Sequence, residues 1–287
     1  GGGGGGGGGA PSYCNWYGIT CRRSTIPRDV VMSIDLSQNE LRGTLPPVLG
    51  LLKQLMVLRL NDNIFSDDAT IPSELSQMDA LEELEIANSN LKGSIPTSLH
   101  QLVELKKLSL HSNRLAGPLL DAVFIPTNII SQQQQQQPTR GLVKLTSLEL
   151  FANAFTGSIP TRLQNLRKLR RLVLHDNAFE GSISNLDWGG MTSLKVLSLH
   201  SNQLTGSPSA LFPKTNVTRS NLQNLVLFNN SFSGPLSNDL MYMPNLRQLN
   251  VAYNSFTGSL PMNVRELRSL TSLDVSHNRL SGTIRSG

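Results

Sequence analysis

The hexapeptide LSLHSN stands at residues 108–113 of this 287-residue chain and again at residues 197–202, and LVLHDN at residues 172–177 differs from it at two positions. When the three stretches are aligned on their asparagines, the match extends in both directions to L-x-x-L-x-L-x-x-N-x-L/F-x-G-x-I/L-P, with a period of about 24 residues. A fixed period of this length indicates a solenoid, in which every repeat forms one coil and stacks on its neighbours.

Ten copies of the pattern occupy residues 31–287. Their asparagine positions, one of which holds a serine, are Asn39, Asn63, Ser89, Asn113, Asn153, Asn177, Asn202, Asn230, Asn254 and Asn278. A hydroxyl reaches less far than an amide, so the coil of Ser89 is predicted to be locally looser. The two longest intervals hold residues 118–141, with glutamines at 132–137, and residues 207–220. Polar low-complexity sequence builds no core, so we expect the first insertion to loop out and the second to form a shorter excursion.

The leucine spacing predicts a short strand in every coil. In L-x-L the two apolar residues are two apart, so the side chains of Leu108 and Leu110 point inward and the residues between them point outward. The asparagine that follows is expected to hydrogen-bond backbone groups of neighbouring coils, and the glycine and proline after it favour turns. Stacked coils then share one parallel sheet and a core that is mostly leucine.

The stretch GSIPTSLHQLVELKKLSLHSNRLAG, at residues 93–117, resembles the plant-type leucine-rich repeat with its G-x-I-P segment, and the resemblance covers about residues 31–287. CNWYGITC, at residues 14–21, is similar to the amino-terminal cap of the same family, C-x-W-x-G-I/V-x-C. The resemblance implies a right-handed leucine-rich repeat solenoid with a parallel sheet on the concave face and turns, 3₁₀ and short helical segments on the convex face. The family includes receptor-kinase ectodomains and polygalacturonase-inhibiting proteins, so the resemblance also implies a recognition function.

Both cysteines of the chain, Cys14 and Cys21, lie in the cap-like segment at residues 11–30, which follows a glycine-rich flexible linker at residues 1–10. The resemblance implies a disulfide between them, with Trp16 packed beneath the cap, and hence a secretory route. A reduced pair, or half of a metal site, is the alternative, although C-x₆-C is poor metal-ligand spacing. Extracellular or cell-surface localisation therefore depends on the disulfide.

Composition suits a folded chain, with 38% hydrophobic residues and a net charge of +5. No apolar run is long enough to span a membrane, and the glycine at position 1 and the uncapped last repeat predict a fragment whose membrane segments, where present, lie outside it. The hydrolase, metalloprotease, phosphate-loop and kinase motifs are absent from the sequence. We predict that this stretch is not an enzyme and binds no cofactor or structural metal.

Two positions before each repeat asparagine the side chain is predicted to face outward from the sheet. The residues in this column are Ser37, Asn61, Ala87, His111, Phe151, His175, His200, Phe228, Ala252 and Ser276. Rings on neighbouring strands, about 4.8 Å apart, predict a platform that stacks on a sugar or grips a peptide. Duplication of the repeat together with its histidine is an equally open reading, and a metal site is a third, for which the sequence offers no evident carboxylate partner.

Charged residues predict a polarised binding surface. Glu83 and Glu85 face outward in the third coil, whereas Lys107, Arg171 and the string LRKLRRL at residues 166–172 make the middle basic. Much of that string is read as a solvated flank, and the rest favours an anionic ligand such as an acidic peptide or an anionic carbohydrate. Nucleic acid is not expected, because the basic residues do not repeat along the arc.

These observations predict a non-catalytic extracellular recognition module that binds a protein, peptide or carbohydrate on its concave face, and a co-receptor is a further candidate partner. The alternatives are a wall or matrix adhesion scaffold that uses its convex surface and loops, and an intracellular interaction scaffold. Glycosylation sequons stand at Asn216 and Asn229, of which Asn216, in the shorter excursion, is the better candidate.

Overall fold

The computed structural model describes residues 12–22, 30–125, 141–211, 220–261 and 267–282. The predicted linker and the glutamine run lie outside these residues. Within them every repeat follows one path: a strand of a main sheet, the asparagine turn, and in most repeats a strand of a second sheet and a 3₁₀ helix. None of the described helices is long and apolar enough to cross a membrane.

The main sheet has one parallel strand for each repeat asparagine. The pairing is in register, so that Leu108 pairs with Leu148 and Leu148 with Leu172. An antiparallel strand from the cap, Ile19–Arg22, closes the amino-terminal edge. The parallel strands are Val30–Asp35, Val57–Arg59, Glu83–Glu85, Lys107–Ser109, Ser147–Glu149, Arg171–Val173, Val196–Ser198, Asn224–Val226, Gln248–Asn250 and Ser272–Asp274.

A second parallel sheet, which the sequence analysis did not predict, follows the asparagine turns. Its strands are Lys92–Gly93, Arg114–Pro118, Ala154–Ser158, Ala178–Ser182, Gln203–Gly206, Ser231–Pro235, Ser255–Gly258 and Arg279–Leu280. The L/F-x-G segment of the repeat is the sequence pattern that corresponds to these strands. Its apolar residue, such as Phe155, is buried, and the residues on either side are exposed to solvent. These buried rings extend the leucine core, with Phe155 and Phe179 stacked at 6.0 Å between centroids.

Short 3₁₀ helices return the chain from the second sheet to the next coil. They are Ser12–Asn15 in the cap and then Pro47–Leu51, Ser73–Gln77, Thr97–Gln101, Asp121–Val123, Thr161–Asn165, Ile183–Asn185, Trp188–Gly190, Pro208–Leu211 and Asn238–Tyr242. The proline of the repeat precedes several of them, because its fixed φ leads into the turn. The leucines of the helices and of the strands close one continuous core between the two sheets.

The repeat asparagines join successive coils, as their type and position predict. The Nδ2 group of Asn177 donates to the carbonyls of Leu150 in the previous coil and of Leu174 and His175 in its own, and its Oδ1 accepts from the N–H of Phe155. The residue before each of these positions has a positive φ. The side-chain bonds thus hold the backbone in a left-handed turn that costs a non-glycine residue about 1 kcal/mol.

The coil of Ser89 departs from its prediction. Ser89 is fully buried, its hydroxyl lies 2.9 Å from the carbonyl oxygen of Leu60 and 2.8 Å from that of Ala87, and it accepts from the N–H of Asn63. The neighbouring side chain of Asn90 adds a bond to the carbonyl of Phe65. The predicted looseness is therefore not present in the geometry, because the shorter side chain lies deep enough to reach both coils.

The boundaries of both predicted insertions need correction. Residues 118–125 do not loop out, because Val123, Phe124 and Ile125 lie in the core. Leu211, within the predicted shorter excursion, is likewise buried at the end of its 3₁₀ helix. The intervening residues 126–140 and 212–219 lie outside the described residues. The glutamine run and the longer repeat intervals led to predicted bounds that include apolar residues of the core.

The cap contains the disulfide that the resemblance implies, between Cys14 and Cys21, with 5.7 Å between their Cα atoms. The predicted packing of Trp16 beneath the cap is wrong: Trp16 is 65% exposed and Tyr17 is 90% exposed. The turn at residues 16–18 directs both rings away from the first coil, and the antiparallel strand Ile19–Arg22 covers that edge instead.

Candidate functional site

Five rings on the solvent side of the main sheet stack into one continuous column, which we call the ring ladder: His111, Phe151, His175, His200 and Phe228. Successive centroids lie 4.1, 4.5, 4.1 and 4.3 Å apart, and the planes differ by 8° to 16°. One strand per coil supplies one ring, so the ladder crosses five consecutive coils. The sequence predicted these residues as a column, and the structure brings all five together.

Stacking changes what the ladder offers to a ligand. The phenylalanines, expected to be exposed, are half-buried because each is covered by a neighbouring ring. Both faces of each of the three inner rings are covered by the neighbouring rings of the ladder. The ladder therefore presents ring edges to solvent. A sugar would need a free aromatic face to stack on, and the inner rings offer none. An extended peptide that runs across the ladder can instead contact the ring edges and the imidazole nitrogens.

Burial makes the ladder histidines poor bases. Desolvation lowers the pKa of His111, His175 and His200, the last to about 4, where the charge of His175 adds to the effect. The hydroxyl of Ser198 lies 3.2 Å from Nδ1 of His175 and 2.9 Å from Nδ1 of His200, which fixes the orientation of both rings. At neutral pH the ladder is therefore uncharged.

A second, shorter stack lies one residue further along its repeats. The rings of Tyr253 and His277 lie 4.0 Å apart and 10° from parallel. Both residues directly precede a repeat asparagine and have positive φ. The alternation rule of a strand does not extend into this turn, so the sequence column did not include them.

The predicted acidic pair, Glu83 and Glu85, belongs to an ion-pair cluster with Arg59. Arg59 Nε donates to Glu85 at 2.9 Å, and its guanidinium also pairs with Glu83. Lys107 lies 2.9 Å from the other oxygen of Glu85, whose side chain is only 10% exposed. Although burial raises the pKa of Glu85, the bonds from Lys107 and Arg59 outweigh it and the net shift is downward. Arg59 was not in the sequence prediction, because its role depends on the pairing of two strands.

Two of the predicted basic residues, Lys107 and Arg171, already have carboxylate partners. Nε of Arg171 donates to Glu149 at 2.9 Å, and Lys107 is held by Glu85. An anionic ligand would have to compete with these carboxylates. Of the two sequons, Asn216 lies outside the described residues, and Asn229 is exposed at a positive-φ turn where its Nδ2 is 3.4 Å from the hydroxyl of Ser201.

The carboxylate that the sequence did not associate with the ladder is Asp176. Its Oδ2 lies 3.8 Å from Nε2 of His175, and one ligand atom of each of His175, Asp176 and His200 lies within 4.8 Å of the others. These three residues could hold a metal ion.

The stacked coils, the asparagine turns and the cap define the class of protein as a leucine-rich repeat solenoid. The chain contains leucine-rich repeats and is homologous to plant receptor-like proteins and to the ectodomains of leucine-rich repeat receptor kinases. The Leucine Rich Repeat family model matches residues 193–214, 245–267 and 269–287. Receptor-like protein 32 of Arabidopsis thaliana is 27% identical over an alignment of 223 positions, which covers 66% of this chain and 25% of the relative.

Two solved structures are similar to this chain over most of its length. The PEPR1–AtPEP1 crystal structure superposes with a TM-score of 0.75 at 31% identity, covering 93% of this chain and 37% of that chain. A plant ice-binding protein superposes with a TM-score of 0.76 at 26% identity, covering 96% of this chain and 80% of that protein. The chain spans about a quarter of the length of the curated relatives that it matches. The relatives are receptor-like ectodomains, which agrees with the predicted class of recognition module.

Proposed function

We propose that this chain is the extracellular recognition part of a receptor-like protein and binds a peptide, or an extended segment of a protein, along the ring ladder. The observation that carries the proposal is the unbroken stack of His111, Phe151, His175, His200 and Phe228 across five coils. The four distances between successive ring centroids add to about 17 Å, which matches about five residues of an extended peptide. The similarity to the leucine-rich repeat ectodomain of the Arabidopsis receptor kinase HAESA, which was solved in complex with a peptide hormone ligand, supports a peptide ligand.

The chemistry of the ladder favours an apolar or aromatic peptide over an anionic sugar. Its rings are uncharged at neutral pH, and the nearby cations Lys107 and Arg171 already have carboxylate partners. Ring edges and Nε2 atoms contact peptide side chains and carbonyls in a mode that needs no free ring face. A co-receptor and a cell-surface location follow from the same homology and remain part of the proposal. No catalytic role is proposed for this stretch.

Selection from a displayed library of random peptides would test the proposal. Wild-type protein should enrich a peptide motif whose binding is lost with the double variant Phe151→Ala/His175→Ala and kept with Leu51→Ala, an exposed residue of a 3₁₀ helix. Circular dichroism would verify that both variants fold. Enriched peptides that bind the double variant as tightly as wild type would place the binding surface elsewhere and overturn the proposal.

A second candidate function is binding to ice, which the high coverage of the plant ice-binding protein favours. The outer side of the second sheet carries exposed, small, uncharged hydroxyl side chains three residues after several repeat asparagines. They are Thr156, Thr205, Ser233 and Thr257. The array is interrupted by Glu180, and parallel strands space its members by about 4.8 Å.

Thermal hysteresis and inhibition of ice recrystallisation would distinguish the two functions. Ice binding predicts activity in wild type that Thr205→Arg and Thr257→Arg abolish and Phe151→Ala leaves unchanged. Wild-type protein without effect on ice growth would remove this candidate and leave the peptide proposal untouched.

A further inference from the structure

The Ser198 hydroxyl defines which nitrogens of two ladder histidines face solvent. Its Oγ contacts Nδ1 of both His175 and His200, at 3.2 and 2.9 Å. A hydroxyl has a single hydrogen, so it donates to at most one of these rings and accepts from the other. At least one histidine therefore carries its proton on Nδ1, which leaves the lone pair of Nε2 free to bind a cation. A hydrogen bond to the other ring nitrogen is what orients histidine ligands in metal sites.

A carboxylate lies beside Nε2 of His175. Asp176 Oδ2 is 3.8 Å from Nε2 of His175, and the three residues place one ligand atom each within 4.8 Å of the others. The backbone fixes the carboxylate relative to both rings: Asp176 adjoins His175, has a φ of 52°, and donates its N–H to the carbonyl of His200 at 3.1 Å. The cluster thus joins two coils through main-chain as well as side-chain contacts.

We propose that His175, Asp176 and His200 form a surface site for a divalent transition-metal ion of the Zn²⁺ type. Two imidazole nitrogens and one carboxylate oxygen are ligands that Zn²⁺ and its neighbours in the first transition row accept, while Mg²⁺ and Ca²⁺ favour all-oxygen sites. Such a set of three leaves at least one coordination position open. The site shares His175 and His200 with the ring ladder, but ion binding does not require that the ladder bind a peptide.

Binding requires a modest movement of the rings. Zn–N bonds are about 2.0–2.1 Å long, so two nitrogens on one ion lie no more than about 4.2 Å apart. The ring centroids are 4.1 Å apart and nearly parallel, and the rings must tilt toward each other for both lone pairs to converge. Asp176 is about half exposed, so its carboxylate is free to follow. Phe151 and Phe228 flank the two rings and keep them together when they tilt.

The experiment is titration of tag-free, chelator-treated protein with ZnCl₂ by calorimetry, and with Co²⁺ by visible absorption. We expect one ion per chain. His200→Phe preserves the ring and removes the ligand nitrogen, and should weaken binding at least about tenfold. Asp176→Asn should also weaken it. His111→Phe is the matched control, since it makes the same change in the same ladder beside Phe151 rather than beside a second histidine.

The proposal is overturned when wild type takes up no ion, or when His111→Phe and His200→Phe weaken binding equally. Circular dichroism of each apo variant separates loss of the site from loss of the fold. Loss of Zn²⁺ binding without loss of peptide capture would leave the proposed function intact.

Discussion

The imidazole rings of His175 and His200, which come from successive coils, stack with 4.1 Å between their centroids and 13° between their planes. The strands that carry them are spaced by about 4.8 Å, so the rings lean toward each other instead of standing straight above their strands. Contact between rings, and not only the sheet beneath, therefore sets the positions of the side chains. A substitution of one ring of the ladder should therefore change the positions of the neighbouring rings.

Phe151 has a stacked ring on each side, whereas Phe228, at the end of the ladder, has one. An aromatic pair contributes about 0.5–1.5 kcal/mol beyond its area burial. Phe151→Ala should therefore lower the free energy of unfolding by about 0.5–1.5 kcal/mol more than Phe228→Ala does. Guanidinium chloride unfolding measures both. Equal losses would mean that the stacks do not contribute to stability.

Acidification should destabilise the fold through the ladder. Burial depresses the pKa of His200 to about 4 from 6.5, so between these values the unfolded chain binds more protons than the folded one. The free energy of unfolding contributed by this residue is thus fully present above pH 6.5 and is lost as the pH falls through about 4. After discounting for partial exposure, the loss is on the order of 1–2 kcal/mol.

Unfolding at pH 7 and pH 4.5 of wild type and His200→Phe measures this contribution. The variant keeps the ring and should lose less stability between the two pH values. The downward-shifted pKa of Glu85 gives an acid dependence of the same sign, but it is common to both proteins. The same pH dependence in both would show that His200 is as basic in the folded chain as in the unfolded one.

The ion-pair cluster around Arg59 should stabilise the first coils. Arg59→Met leaves Glu83 without that partner and the largely buried Glu85 with Lys107 alone. We expect a loss of about 1–2 kcal/mol, since Arg59 itself is partly exposed. The matched control, Arg114→Met, breaks an exposed pair with Asp67 and should cause no measurable change in thermal unfolding. Similar effects of the two variants would contradict a special role for the buried carboxylate.

The asparagine column should tolerate serine better than alanine. Asn177→Ala removes bonds to the carbonyls of Leu150 and Leu174 and leaves the N–H of Phe155 without its acceptor, at a cost of about 2–4 kcal/mol. Asn177→Ser should cost less, because Ser89 bridges two coils at the same position of its repeat. Urea unfolding would rank the three proteins. A serine variant as unstable as the alanine variant would show that the arrangement at Ser89 depends on its own neighbours.

The architecture of each coil follows from residue spacing within one repeat, so it could be predicted from the sequence. Leucines two apart predict inward-facing strand residues, and the repeat asparagine predicts a turn that bonds to its neighbours; Leu108, Leu110 and Asn113 behave in this way. The column from His111 to Phe228 was predicted for the same reason, since strand alternation places one residue per coil on the same side. The second sheet was not predicted, because the apolar residue and the glycine of its strands are equally compatible with a turn.

The sequence by itself determined the number of coils, the leucine core, the asparagine turns and the ring column, because each depends on spacing within one repeat. The tertiary structure alone decided that the rings stack on each other, that Arg59 links Glu83 to Glu85, and that Asp176 lies beside two imidazoles. These relationships join residues 24 to 40 positions apart, or depend on the φ of a single turn residue. The distances between these side chains depend on the displacement of each coil relative to the preceding coil. The packing of the leucines sets that displacement.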